Sequence, residues 1–237
     1  MRTTSVGQHT YQLTQSAILF PVNCFLVRED DGFTLIDTSI NLFGADKAIL
    51  AAAGRLGTPI VRIALTHVHG DHIGNLDAIH TAFPNAEVSF TARELRILDG
   101  DRKLDAGESQ KPIRGSFIKV KTRPDRTIAP GDRVGSLTVY AAPGHTPGQV
   151  AFLDERDQTL IAGDALSTYG GIAVCGVARP IFPFVKMGTW DLTTATKTAR
   201  ALRDLHPARL AVGHGRALEQ PDAAMAHAIA EAERHGA

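Results

Sequence analysis

The chain reads as a mixed α/β protein, a four-layer αββα sandwich, on three observations. Beyond the first hairpin, strand-like apolar runs alternate with helix-like ones, the order that lays helices over sheet faces. A later hairpin echoes the first: Phe25-Leu26 then Thr34-Leu35-Ile36-Asp37, and Phe152-Leu153 then Thr159-Leu160-Ile161 and Asp164. The echo suggests two related halves, each giving a sheet edge and a loop to a shared cleft, although hairpins in general look alike. No Pro/Ser/Gly-rich linker or charge block divides the 237 residues, so the reading is one domain, 1–237.

The elements follow in order. Residues 1–14 are polar and lack a charged-then-apolar signal pattern. The apolar run 17–27 is interrupted by Pro21 and Asn23, and Cys24 sits in it as a small strand hydrophobe. Residues 45–56 are Ala- and Leu-rich with Gly57 behind them, a helix with its C-cap. Strand 60–65 leads to a helix over 71–83 closed by Pro84, then to strand 86–90. Thr91 and Glu94 form a T-x-x-E capping box for the next helix. Residues 99–126 read as loops with a short strand at 117–120, and their Lys and Arg side chains as a solvated face. Strands 137–142, 150–153 and 159–162, a helix 191–205, a strand 209–212 and an Ala-rich helix 221–234 complete the chain.

Lys plus Arg equal Asp plus Glu at 25 each, so no global field attracts nucleic acid or an anionic membrane. With 43% hydrophobic and 21% charged residues the composition is that of a globular protein. The N-terminus lacks a signal pattern, and the expectation is a soluble cytoplasmic chain with no nucleic-acid or membrane partner. Cys24 and Cys175 form no CxxC pair and no disulfide framework.

The chemistry is concentrated in Thr66-His67-Val68-His69-Gly70-Asp71-His72, directly after strand 60–65. Residues two apart in an extended segment point to one side, so His67 and His69 can grip one ion, while Gly70 lets the chain turn. Asp71 and His72 then face a neighbouring point. Imidazole and carboxylate donors of this kind suit borderline divalent ions such as Zn²⁺. Three further candidates, His145, Asp164 and His214, each follow a glycine at a strand end. Seven ligands exceed one tetrahedral zinc and suit two ions sharing a carboxylate, with Fe or Mn as other occupants. His9, His80, His206, His227 and His235 have no such partners. Trp190 reads as a core anchor.

His67-x-His69-x-Asp71-His72 resembles the signature of the metallo-β-lactamase-fold hydrolases, which include glyoxalase II and the acyl-homoserine lactonases. Gly144-His145-Thr146, Gly163-Asp164 and Gly213-His214 extend the resemblance over 22–215. It implies the same αββα sandwich. It also implies that His67, His69 and His145 hold one metal, that Asp71, His72 and His214 hold the other, and that Asp164 bridges them. The expected reaction is attack of a metal-generated hydroxide on the acyl carbon of a lactone, ester or thioester, a small-molecule substrate. Asp71 would orient the nucleophile and pass on its proton, and Asp37 would hydrogen-bond the ligand loop.

The apolar stretch 172–190, broken by Pro180 and Pro183, reads as a wall for a lipophilic acyl chain. The alternative uses for it are core filling or a homodimer contact. Tyr169 resembles the lactonase tyrosine that binds the substrate carbonyl, at a longer offset from Asp164. Competing readings are an iron-dependent oxidative enzyme like the persulfide dioxygenases, a nuclease of the same fold, and a binding protein with a vestigial site. Glyoxalase II would be expected to carry a basic C-terminal extension, which is not seen, and a true β-lactamase a nearby cysteine.

Overall fold

A computed structural model describes residues 1–16 and 20–236; the start of the apolar run 17–27 lies outside the described residues. The first sheet comprises β1 (Arg2–Val6), β2 (Thr10–Ser16), β3 (Pro21–Arg28), β4 (Phe33–Ile36), β5 (Ile60–Ala64), β6 (Glu87–Thr91) and β7 (Arg126–Ile128) in that spatial order. Its first four strands pair antiparallel and the rest parallel. Between them run α1 (Ala45–Arg55), α2 (Gly70–Ile73), α3 (Leu76–Ala82) and α4 (Ala92–Leu98).

The second sheet contains β8 (Arg133–Val134), β9 (Leu137–Ala141), β10 (Val150–Asp154) and β11 (Thr159–Ile161). A two-stranded ribbon, β12 (Leu166–Ser167) with β13 (Ala173–Val174), and the short α5 (Phe184–Gly188) follow. Then come α6 (Leu192–Arg203), β14 (Arg209–Ala211), β15 (Leu218–Glu219) and α7 (Asp222–Arg234). The second sheet is ordered β15-β14-β11-β10-β9-β8, with β11 and β14 parallel.

Side-chain alternation along the strands makes the layers. On β3, Cys24 and Leu26 face the helices α1, α3 and α4, whereas Phe25 and Val27 face the other sheet. On β10, Phe152 joins that same inter-sheet layer, while Ala151 and Leu153 pack against α6 and α7. Strands buried on both faces carry the unbroken apolar runs that the sequence shows. The result is helix, sheet, sheet, helix, the αββα sandwich that the alternation predicts. The echoed hairpins are β3–β4 and β10–β11; each continues into a parallel strand, and Asp37 and Asp164 follow the two hairpins.

One segment without an assigned element proves structured, and three expectations are corrected. Residues 2–16 form a hairpin: β1 is an exposed Thr-rich edge strand, which polar composition hides. The helix expected over 71–83 is two helices. Asn75 donates through Nδ2 to the carbonyls of Thr38 and Ile40 at 2.6 and 3.1 Å, and a Cβ on Gly74 would lie 2.5 Å from the Asn41 nitrogen, so the 38–41 loop wedges the helix open. Residues 117–120 form no strand; the Lys121 and Thr122 amides donate to the Asp77 carboxylate instead of to a neighbouring strand. The stretch 172–190 is irregular as expected, but admits β13 and the short α5. Trp190 is buried in the first core. No helix among the described residues is long and apolar enough to cross a membrane.

Candidate metal centre

The expected ligands sit at the ends of strands from both sheets. His67 and His69 lie in the loop after β5, Asp71 and His72 in the first turn of α2, His145 after β9, Asp164 after β11 and His214 after β14. The structure brings all seven together. Donor atoms of His67, His69 and His145 fall within 4.8 Å of one another, as do those of His67, His72 and Asp164, and those of Asp71, His72 and His214. Asp164 sits centrally: its oxygens lie 3.3 Å from His72 Nε2, 3.4 Å from His145 Nε2 and 3.1 Å from His214 Nε2. Close approach is built in at Gly213, where a Cβ would lie 2.0 Å from Asp164 Oδ1.

The far nitrogen of every ligand imidazole is committed to donating, which fixes the tautomer that leaves a lone pair at the centre. His72 Nδ1 donates to Asp37 Oδ2 at 2.8 Å, His214 Nδ1 to the Pro21 carbonyl at 2.7 Å and His69 Nε2 to the Arg114 carbonyl at 2.9 Å. The Thr189 hydroxyl donates to the Val185 carbonyl, so it accepts from His145 Nδ1 at 3.1 Å. Likewise the Thr66 hydroxyl donates to Asp37 and accepts from His67 Nδ1 at 3.0 Å. Inward, His67 Nε2, His72 Nε2 and Asp164 Oδ1 are buried with no hydrogen-bond partner among the described residues. Orphaned polar atoms are rare in protein interiors, and three converging on one point are what a cation would satisfy.

The electrostatics agree with this division. Burial, then the neighbouring His69, pushes His145 down to about 3, so it is a neutral donor at pH 7. Burial and the surrounding imidazoles likewise hold His67 well below its ordinary value. Against burial, the Asp164 and Asp71 carboxylates push His214 up to about 10, and Asp164, Asp37 and Asp71 raise His72. Burial would raise Asp71, but His72 and His214 hold it below the usual carboxylate range. Without a cation, protons balance the Asp71/His72/His214 side.

Sequence reasoning singled out Asp37, and it is the hub beneath the ligand loop. It accepts from Thr66 N at 2.8 Å, from the Thr66 hydroxyl and from His72. Pro21, Thr189 and Glu94 as supports of the site were missed. Glu94 carried a signal, the T-x-x-E pattern, but only half of the box forms. Thr91 accepts from the Glu94 amide, while the Glu94 side chain turns inward.

A cavity of about 660 Å³ opens onto Asp71, Asp164, His69, His145 and His214. Phe20, Ile40, Leu42, Ile118, Phe182, Phe184, Val185 and Met187 wall it, and no lysine or arginine lines it among the described residues. Asp71, with 21% of its side chain exposed, faces this space, whereas Asp164 is 3% exposed. Tyr169 is not among the lining residues. Its ring packs edge-on behind Phe182 with centroids 5.6 Å apart, and the Phe182 ring in turn reaches His214, at 4.8 Å, as does Phe20, at 5.2 Å.

The pattern of the metallo-beta-lactamase superfamily matches residues 17–214. The chain is similar to the uncharacterized protein YobT of Bacillus subtilis (strain 168), 45% identical over 228 residues that cover 96% of this chain and 97% of that one. It is also similar to a hydroxyacylglutathione hydrolase of Rhodospirillum rubrum, 29% identical over 93% of this chain and 72% of that one. Among solved structures it resembles TTHA1623 in a di-iron-bound form, with a TM-score of 0.67 and 25% identity over 90% of this chain and 96% of that one. A superfamily pattern spanning nearly the whole chain, on an αββα frame whose strand ends gather five histidines and two aspartates, makes this chain a member of the metallo-β-lactamase superfamily of metallo-hydrolases.

Proposed function

We propose that the chain is a two-metal hydrolase of a neutral acyl compound, a lactone, ester or thioester whose acyl portion is apolar. The observation that carries the reading is the cavity, which has the histidine and aspartate donors at its floor and mostly apolar side chains on its walls, with Asn41 and Ser116 the polar exceptions. Its floor fits metal, because three buried donor atoms there lack a hydrogen-bond partner among the described residues. His67, His69 and His145 would hold one ion, Asp71, His72 and His214 the other, and Asp164 would lie between. When bound, two divalent ions, Zn²⁺ in this reading, lower the pKa of a water and polarise a carbonyl.

The protein's own contribution is orientation and exclusion. Asp71, partly exposed and held ionised, would orient a nucleophilic water and take up its proton. Phe20, Phe182, Phe184 and Met187 would hold the apolar portion and keep bulk water away. With no lysine or arginine among its described lining residues, the wall offers no cationic side chain to the carboxylates of a glutathione thioester or a β-lactam. A screen of zinc-loaded protein against lactones and esters of short and long acyl chain, a glutathione thioester and a β-lactam tests this. Turnover should be fastest on the long-chain neutral substrates and vanish with chelator. Preference for the glutathione thioester or the β-lactam would overturn the reading.

An iron-dependent oxidative enzyme is the second reading, favoured by the di-iron form of TTHA1623. Oxygen consumption by iron-loaded protein, with no hydrolysis by zinc-loaded protein, would select it.

A further inference from the structure

Glu94 is a fully buried carboxylate close to the centre that the chemistry above leaves unused. It stands in the first turn of α4 and, among the described residues, hydrogen-bonds to none of the seven candidate ligand side chains. Its Oε2 accepts from the Val68 amide at 2.9 Å, and its Oε1 accepts from the Thr146 hydroxyl at 2.6 Å and the Gly148 amide at 3.0 Å. All three partners donate, so the arrangement serves the ionised form, although burial pushes the group up to about 7.

The positions of the partners are informative. Val68 is the residue between His67 and His69, so fixing its amide fixes the His67–Val68 peptide in the segment that carries both imidazoles. Thr146 follows His145, and Gly148 closes the same turn. The first pair of ligands comes from the loop after β5 in one sheet, the third from the loop after β9 in the other. Joining the two loops for stability alone needs only backbone bonds, such as Val150 N to the Thr66 carbonyl at 3.0 Å. A buried charge costs far more than such a bond unless its geometry is used.

We infer that Glu94 is a positioning residue for the three-histidine set: its carboxylate ties the His67–His69 segment to the His145 turn and so sets the spacing of the donors that share one ion. The inference rests on the two-metal reading and goes beyond it, because Glu94 is neither one of the seven clustered donors nor a residue that lines the cavity.

The test is a competition titration of apoprotein with Zn²⁺ against a chromophoric chelator, for wild type, Glu94→Gln and Thr146→Val. Visible spectra of the Co²⁺-loaded proteins and apoprotein melting curves accompany it. In Glu94→Gln the amide nitrogen meets an N–H donor whichever way it is turned. One ion should therefore bind about 10–100-fold more weakly, with a changed Co²⁺ spectrum, while the other stays within about threefold. Thr146→Val removes one donor and keeps the charge, and should weaken the same ion by less. For an ester substrate, kcat should fall with KM nearly unchanged.

Wild-type affinity for both ions in Glu94→Gln would overturn the inference. So would an equal loss at both sites with a lowered apoprotein midpoint, which is what mere stabilisation of the fold produces. If Glu94→Gln does not fold, Thr146→Val decides by the same comparison. Wild type binding fewer than two ions would overturn the two-metal reading, a failure visible before any substitution.

Discussion

In an Asp37→Asn protein one carboxylate oxygen becomes an amide that donates, at a place where three donors already point inward. The retained oxygen can still accept from Thr66 N, now at 2.8 Å. The amide nitrogen then faces the Thr66 hydroxyl, which can turn, and His72 Nδ1, which cannot. Either His72 presents its lone pair to the amide and carries its proton on Nε2, the atom that faces Asp164, or it keeps the useful tautomer with Nδ1–H stranded against another donor. The first choice removes a ligand. The second leaves a buried donor unsatisfied, at about 1–3 kcal/mol. That penalty weakens one ion by roughly 5–150-fold, since each ~1.4 kcal/mol is a factor of ten. Chelator competition on apoprotein measures it, with kcat at saturating metal as the second readout. A loss below about twofold at both ions, in a folded variant, would refute the tautomer argument.

Other outcomes follow from the same geometry. Gently purified and metal-supplemented protein should hold close to two divalent ions by elemental analysis; one or fewer would contradict the seven-donor site. Metal affinity should rise with pH up to about 10. Below that value the apoprotein keeps the proton on His214 that an ion must displace, so binding at pH 7 should release at least about one proton, read by calorimetry in buffers of different ionisation enthalpy. An affinity independent of pH would remove that coupling. Gly213→Ala should lose metal and turnover together, because its Cβ would lie 2.0 Å from Asp164 Oδ1 and 2.7 Å from His72 Cε1; normal metal content would show that the strand end yields. Tyr169→Phe should change turnover by less than about threefold, since Phe182 separates Tyr169 from His214; a tenfold loss would show that the tyrosine swings into the cavity.

What could be read from the sequence depended on how local its cause was. His67, His69, Asp71 and His72 lie within six residues, and their spacing alone turns them to common points. His145, Asp164 and His214 were marked by a glycine at a strand end, a backbone signal. The layer order followed from alternating periodicity. The missed features depend on contacts between distant segments. Asn75 breaks a helix because a loop 35 residues earlier in the chain offers it carbonyls. The Pro21 carbonyl orients His214 across 193 positions, and no property of Pro21 in the sequence announces that. Glu94 was recognised by the right pattern and given the wrong partner, because a cap is local and the Val68 and Gly148 amides are not.

The apolar wall also bears on how a catalytic cycle would end. Hydrolysis of a neutral acyl compound makes an anion, and this cavity holds no lysine or arginine to receive one. In the two-metal reading the ions at the floor are the charge partners left for a carboxylate product, since the Phe182, Phe184 and Met187 wall offers a charge none. A wall that welcomes the uncharged substrate therefore leaves the metals as the hold on what the substrate becomes. Long-chain acids should inhibit the metal-loaded protein and bind the apoprotein far more weakly.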